Sequence, residues 1–262
     1  MKKILNLLLI LLALASCSSE TEPTVEPVSG VISLNPDKIL ENEPQTPRVF
    51  RDAATTEEFT YIFEAWTRGD NPKCALHKEM KGTSSGTAIE IKLIPGNYDF
   101  LFWADYGKNC YSTQNLRKVS IALNNQTYTP GIQRDAFAFA LKNVSWNGGN
   151  NLSVILKRPL AKLVMKNKKN FNTNHQQVSA TYQNVPTMYD VLTGNASTPT
   201  EKIILKFPAT TAGTDIVGED FLFVSAEGQS IGLTILVDNT QKAVDALPIK
   251  PNFTTSVTAT LE

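Results

Sequence analysis

The run Ala88-Ile89-Glu90-Ile91-Lys92-Leu93-Ile94, the turn Pro95-Gly96-Asn97, and the run Tyr98-Asp99-Phe100-Leu101-Phe102-Trp103-Ala104 decide the fold. In the first run apolar and charged residues alternate, so Ile89, Ile91 and Leu93 share one face, which is the period of a strand with one buried side. Pro-Gly-Asn is turn chemistry. The second run is dense in aromatic residues, which pack well on a pleated surface. Together they predict a β-hairpin. Outward from it the same signature recurs, upstream in Phe59 to Trp66 and downstream in Val119 to Leu123, Phe137 to Leu141, Leu152 to Leu156 and Leu160 to Lys166. It continues through Val178 to Tyr182, Ile203 to Phe207, Phe221 to Val224, Ile231 to Val237, Ala246 to Ile249 and Thr254 to Leu261. Thr67 to Gly86 reads as a loop, and Asn147 to Asn151 and Thr193 to Pro199 read as turns. No stretch keeps a helical period with caps, so the fold class is all-β. About fourteen short strands at this spacing make two sandwiches of roughly seven each. Proline cannot donate to a ladder, so Lys157-Arg158-Pro159 is the natural seam, dividing residues 52–158 from residues 159–262.

The other decisive stretch is at the start. Lys2 and Lys3 precede an apolar run from Ile4 to Ala15 broken only by Asn6. That is a secretory signal, too short to span a bilayer. It ends in Leu14-Ala15-Ser16-Cys17, which resembles the lipobox of bacterial lipoproteins. The resemblance implies removal of residues 1–16 and acylation of Cys17, with outer-membrane lipid as a partner. Each buried methylene would contribute about 0.8 kcal/mol, enough for several chains to hold the protein on a membrane. Residues 17–51 then read as a tether, Pro- and Glu-rich from Ser18 to Val28, with a short strand at Val31 to Leu34 and two exposed arginines, Arg48 and Arg51, where a trypsin-like protease would cut. Without residues 1–16 the chain carries 23 basic and 25 acidic residues, since two of its 25 basic residues are Lys2 and Lys3. That balance argues against nucleic acid as a partner. In an exported protein Cys74 and Cys110 are either a disulfide, which would add roughly 4 kcal/mol on the chain-entropy model, or two free thiols.

Motifs for catalysis are sparse. Gly82-Thr83-Ser84-Ser85-Gly86 fits G-x-S-x-G, but a strand rather than a helix follows it, and the nucleophile elbow needs the helix. Cys74-x-x-His77 is at most half a zinc site without a second ligand pair, and His175 stands alone. Asp99 and Asp105 flank an aromatic strand as candidate paired carboxylates. No calcium loop or phosphate-binding glycine loop occurs, so the chain reads as no enzyme, with no cofactor and no metal. Trp66, Trp103 and Trp146 could form an aromatic platform for sugar; Trp146, beside Asn147-Gly148-Gly149, is the one expected to be exposed.

Several segments in order resemble the fimbrillin-like lipoproteins of Bacteroidetes. They are Cys17 after the lipobox, Trp103-Ala104-Asp105-Tyr106, Arg134-Asp135-Ala136-Phe137, Leu156-Lys157-Arg158-Pro159-Leu160-Ala161-Lys162-Leu163, Val185-Pro186-Thr187 with Gly194, and Leu247-Pro248-Ile249-Lys250-Pro251-Asn252-Phe253-Thr254-Thr255. The resemblance implies two tandem transthyretin-like Greek-key sandwiches and a lipid-anchored, outer-membrane protein at the cell surface or in a fimbrium that serves adhesion. In pilin members an arginine- or lysine-specific surface protease removes the N-terminal segment, and a strand from a neighbouring fimbrial subunit fills the groove by β-strand addition. On this chain Val31 to Leu34 would be the strand removed and Arg48 or Arg51 the cleavage position. Thr254-Thr255-Ser256-Val257-Thr258-Ala259-Thr260-Leu261 would be the candidate donor. The resemblance implies a structural or accessory component of fimbriae; with little sequence after that strand a dedicated donor tail would be lacking, which would make the chain an anchor, an accessory subunit or a non-polymerising surface lipoprotein. The competing reading is a monomeric lipid-anchored binding protein for glycan or host protein.

Overall fold

The computed structural model describes residues 25–42, 57–149, 151–200 and 202–262, and these are almost all strand. The order begins β1 (Val28–Pro36), β2 (Glu58–Thr67), β3 (Cys74–Thr83), β4 (Thr87–Leu93), β5 (Gly96–Asp105), β6 (Tyr111–Ser112), β7 (Val119–Ile121), β8 (Ala136–Trp146) and β9 (Asn151–Leu156). After the seam follow β10 (Leu160–Asn167), β11 (Val178–Gln183), β12 (Val185–Asp190), β13 (Asn195–Thr200) and β14 (Ile203–Phe207). The chain closes with β15 (Ile216–Phe223), β16 (Gln229–Val237), β17 (Thr240–Ile249) and β18 (Thr254–Ala259). Two sheets, β4-β1-β9 and β3-β2-β5-β8, form a first sandwich; β15-β10-β18 and β14-β11-β16-β17 form a second.

The two sandwiches share one topology. In each, the first strand is central in the three-stranded sheet, antiparallel to one neighbour and parallel to the last strand: β1 between β4 and β9, and β10 between β15 and β18. Each sandwich also carries an insertion, β6-β7 in the first and β12-β13 in the second. The insertions pair through Met188 with Ser120 and Tyr189 with Val119, making a fifth sheet, β13-β12-β7-β6, that belongs to both halves.

Three apolar cores follow from this. One fills the first sandwich with Ile32, Leu34, Phe59, Phe63, Phe100, Phe102 and Trp146, and one fills the second with Leu163, Met165, Tyr182, Leu205, Leu233 and Ile235. The third lies between them. Ile62, Leu101 and Trp103, on the outer face of the first sandwich, meet Leu116 and Val119 of the insertion and Leu160, Tyr189, Phe221 and Phe223 of the second half. This is why the aromatic run of β5 is buried on both faces whereas β4 alternates.

Two expectations are corrected here. The Pro95-Gly96 turn does not make a hairpin: β4 lies in one sheet and β5 in the other, so the turn crosses between layers. A strand buried on both faces belongs at the centre of a sheet, and β5 takes its ladders from β2 and β8. The loop expected over Thr67 to Gly86 contains β3, an edge strand paired to β2 from Glu58–Thr83 to Trp66–Cys74. All its side chains are exposed or half-buried, so its sequence shows no apolar period.

Candidate functional site

Three of the stretches singled out in the sequence, Val31 to Leu34, Gly82 to Gly86 and Trp146, meet at β1. Val28–Pro36 is not an appendage ahead of the first sandwich; it is the central strand of a sheet. Seven residue pairs join it to β4, from Val28–Leu93 to Leu34–Thr87, and six join it to β9, from Val31–Asn151 to Pro36–Leu156. Ile32 and Leu34 are wholly buried, pointing among Phe59, Phe63 and Phe100, while Ser33 and Asn35 alternate outward. Beside its first half a groove of about 770 Å³ opens between Leu76 and Lys78 of β3 and Glu90 and Lys92 of β4, with Ser29 to Val31 on its wall.

The turn that matches G-x-S-x-G packs against β1. Ser84 sits between β3 and β4, its backbone N–H donating to the Glu57 carbonyl at 2.7 Å. Both glycines of the motif are close approaches: a Cβ on Gly86 would lie 2.6 Å from the Leu34 carbonyl of β1, and one on Gly82 would lie 2.8 Å from Thr87.

Arg134 and Asp135 stand where the halves meet, and each reaches into the junction. Asp135 receives a forked pair of bonds from Arg158, at 2.7 and 2.9 Å, and Arg158 also donates to Asn252 Oδ1 at 2.7 Å. All three side chains are buried. Arg134 faces Asp220 at 3.4 Å and lies 3.6 Å over the Tyr128 ring, whose hydroxyl donates to Asp220 at 2.7 Å. Burial raises the Asp220 pKa, with Arg134 the largest opposing influence. The Arg-Asp dipeptide is thus two buried ion pairs side by side, one to the linker and one to β15.

The remaining candidates are scattered. Cys74 and Cys110 are free thiols, so the disulfide alternative is not the one realised. Cys74 is in register with Trp66 at one end of β2, whereas Cys110 follows Asp105, which is in register with Thr60 near the other end. Six residues of strand separate those rungs by about 20 Å. The same spacing separates Asp99 from Asp105. Asp99 accepts from the Asn143 N–H, and Asp105 accepts from the Trp103 indole and the Gly107 N–H, so they are two strand-end acceptors and not a pair. His77 meets the buried Glu64 at 2.9 Å, and His175 meets Asp238 at 2.7 Å. Among the described residues no group of three or more histidine, cysteine or acidic side chains could hold a metal ion.

Trp146 is buried, not exposed: its ring meets Phe100 edge-on and its indole N–H donates to the Val28 carbonyl at 3.3 Å. Trp66 is the half-buried one, with the Arg117 guanidinium 5.3 Å over its ring. The tryptophans therefore form no shared aromatic platform. The candidate donor, Thr254 to Leu261, contains β18 of its own sandwich, and Val257 and Leu261 are buried in its core. Cys17, Arg48 and Arg51 lie outside the described residues. Among the described residues no helix is long and apolar enough to cross a membrane.

No curated protein matches the chain. Among solved structures, a candidate polysaccharide-binding protein (DUF1812) of Bacteroides thetaiotaomicron superposes with a TM-score of 0.51 at 13% identity, covering 83% of this chain and 78% of that one. The tip fimbrial protein Mfa3 of Porphyromonas gingivalis, with a C-terminal truncation, gives 0.48 at 14% identity, over 85% and 81%. A candidate adhesin of Bacteroides ovatus gives 0.49 at 12% identity, over 83% and 82%. At such identities the likeness, carried by the first of these, is one of fold. Residues 25–261 match the family described as Family of unknown function (DUF6562), and the chain belongs to that family.

Proposed function

We propose that the protein is a fimbrillin-like subunit, structural or accessory, of cell-surface fimbriae that are assembled by β-strand exchange and serve adhesion, and that it is held on the outer membrane through acylated Cys17. The observation that carries this reading is the setting of β1. It is paired on both sides and fills two core slots, yet its one covalent link to the later strands runs through the segment that holds Arg48 and Arg51. A surface protease cutting at either arginine would part β1 from every later strand. Its departure would leave β4 and β9 with unpaired N–H and C=O groups and two empty apolar slots, a site that an extended segment of another subunit fits by strand addition.

The reading makes the chain an acceptor first. For Thr254 to Leu261 to act as a donor, β18 would have to leave its ladder with β10. The family resemblance and the tip fimbrial protein among the structural neighbours agree with the reading in kind.

The test is to isolate the protein from the surface fraction of its own cells and measure its intact mass and its migration on a non-dissociating gel. A mature start at Val49 or Asp52 with a ladder of multimers is expected. A monomer that still begins at acylated Cys17 would withdraw strand exchange in favour of a solitary lipid-anchored binding protein.

A further inference from the structure

The six residues after β1, Asp37 to Asn42, leave the first sandwich and run onto the second. The Asp37 N–H donates to the Leu156 carbonyl at 2.9 Å, and its carboxylate meets Lys157 Nζ at 2.7 Å, which holds the Asp37 pKa below its usual range. The Lys38 carbonyl accepts from Arg158 Nη2 at 3.1 Å. Leu40 is buried, and the Glu41 N–H donates to the Asn252 carbonyl at 2.9 Å. Asn42 completes the run: its Oδ1 accepts from the Thr254 N–H and its Nδ2 donates to the Thr254 carbonyl, both at 2.7 Å. One side-chain amide thus makes both bonds of a ladder rung on the first residue of β18.

These contacts share partners with the junction. Asn252 receives Glu41 on its backbone and Arg158 on its side chain, and Arg158 lies between Phe137 of the first sandwich and Phe221 of the second, 4.9 and 5.9 Å from the ring centres. β18 itself is an edge strand in which only Val257 is buried, so the anchors at its ends contribute a large share of its hold.

We propose that Asp37 to Asn42 is a clasp across the junction. While β1 is seated, the clasp pins the β17–β18 turn and the start of β18 against Arg158. When the N-terminal segment leaves, both are loosened. The second half of this statement rests on the proposed loss of β1; the first does not. One cut would then do two things at once, opening the slot in the first sandwich and freeing a strand end in the second.

Hydrogen exchange by mass spectrometry on the full chain tests it, comparing the wild type with Asn42→Ala and Leu40→Ala. Amides of residues 255–259 are expected to exchange roughly three- to tenfold faster in both variants, from the loss of two side-chain hydrogen bonds in Asn42→Ala and of a buried apolar side chain in Leu40→Ala. Amides of β4 and β16 should keep their wild-type rates. Unchanged exchange in β18 would overturn the clasp, and so would an equal rise in β16, which would mean general destabilisation. Because exchange is read on the monomer and assembly on the surface-derived protein, loosened β18 without multimers would keep the clasp and discard strand exchange.

Discussion

At the scale of single residues, the consequential groups are charged ones removed from water. Arg158 and Asp135 offset their desolvation by a forked geometry, and removing one partner leaves the other charge buried. Arg158→Met should therefore lower unfolding free energy by about 3–5 kcal/mol in a denaturant titration, and Arg158→Met with Asp135→Leu should recover part of the loss. His175 gives a pH-dependent counterpart. Its bond to Asp238, and then its contact with Glu262, raise its pKa above 6.5. A group whose folded pKa is raised stabilises fully below its unfolded pKa, and that contribution fades as pH rises through the folded value. The melting temperature of wild type minus that of His175→Gln should thus be largest near about pH 5.5 and shrink by about pH 9; a gap independent of pH would contradict the assignment. Little of this was legible beforehand. Arg134-Asp135 and Arg158 stood out as a pattern, but what they pair with lies 86 and 23 residues along the chain, and no spacing rule reaches that far.

At the scale of elements, strands with one buried face declared themselves by alternation, and those with two by their aromatic density. β3 did neither. It is an edge strand whose inward positions include Lys78, and that lysine donates to the Glu90 carbonyl at 2.6 Å across the open side of the sandwich. An inward-pointing charge on an edge discourages pairing with another chain. Lys78→Ile should increase self-association, measured by sedimentation at rising concentration, with the fold retained by circular dichroism. A variant that stays as monomeric as the wild type would show that this edge is protected by something else. β13 escaped notice for a similar reason: Asn195–Thr200 is polar and largely exposed, and its strand character comes from its partner β12.

At the scale of the whole molecule, the two sandwiches are joined by more than a linker. Trp103 is wholly buried, yet it belongs to neither sandwich interior; its ring meets Tyr111 and Phe223 edge-on at 5.3 and 6.3 Å. A core shared in this way predicts one cooperative calorimetric transition for the wild type, with calorimetric and van't Hoff enthalpies in agreement. Trp103→Ala, costing about 3–5 kcal/mol, should split that transition in two, and two transitions already present in the wild type would contradict a shared core. The sequence by itself determined what depends on near neighbours: the strand-forming runs, the all-β class and the turn residues, because backbone preference and alternation act over a few positions. Only the tertiary structure decided which sheet each strand joins, that β1 is central, that Trp146 faces inward, and that two insertions far apart in the chain meet as a sheet. Those outcomes depend on burial against partners distant in sequence, and a local pattern carries no record of where its buried face will find its partner.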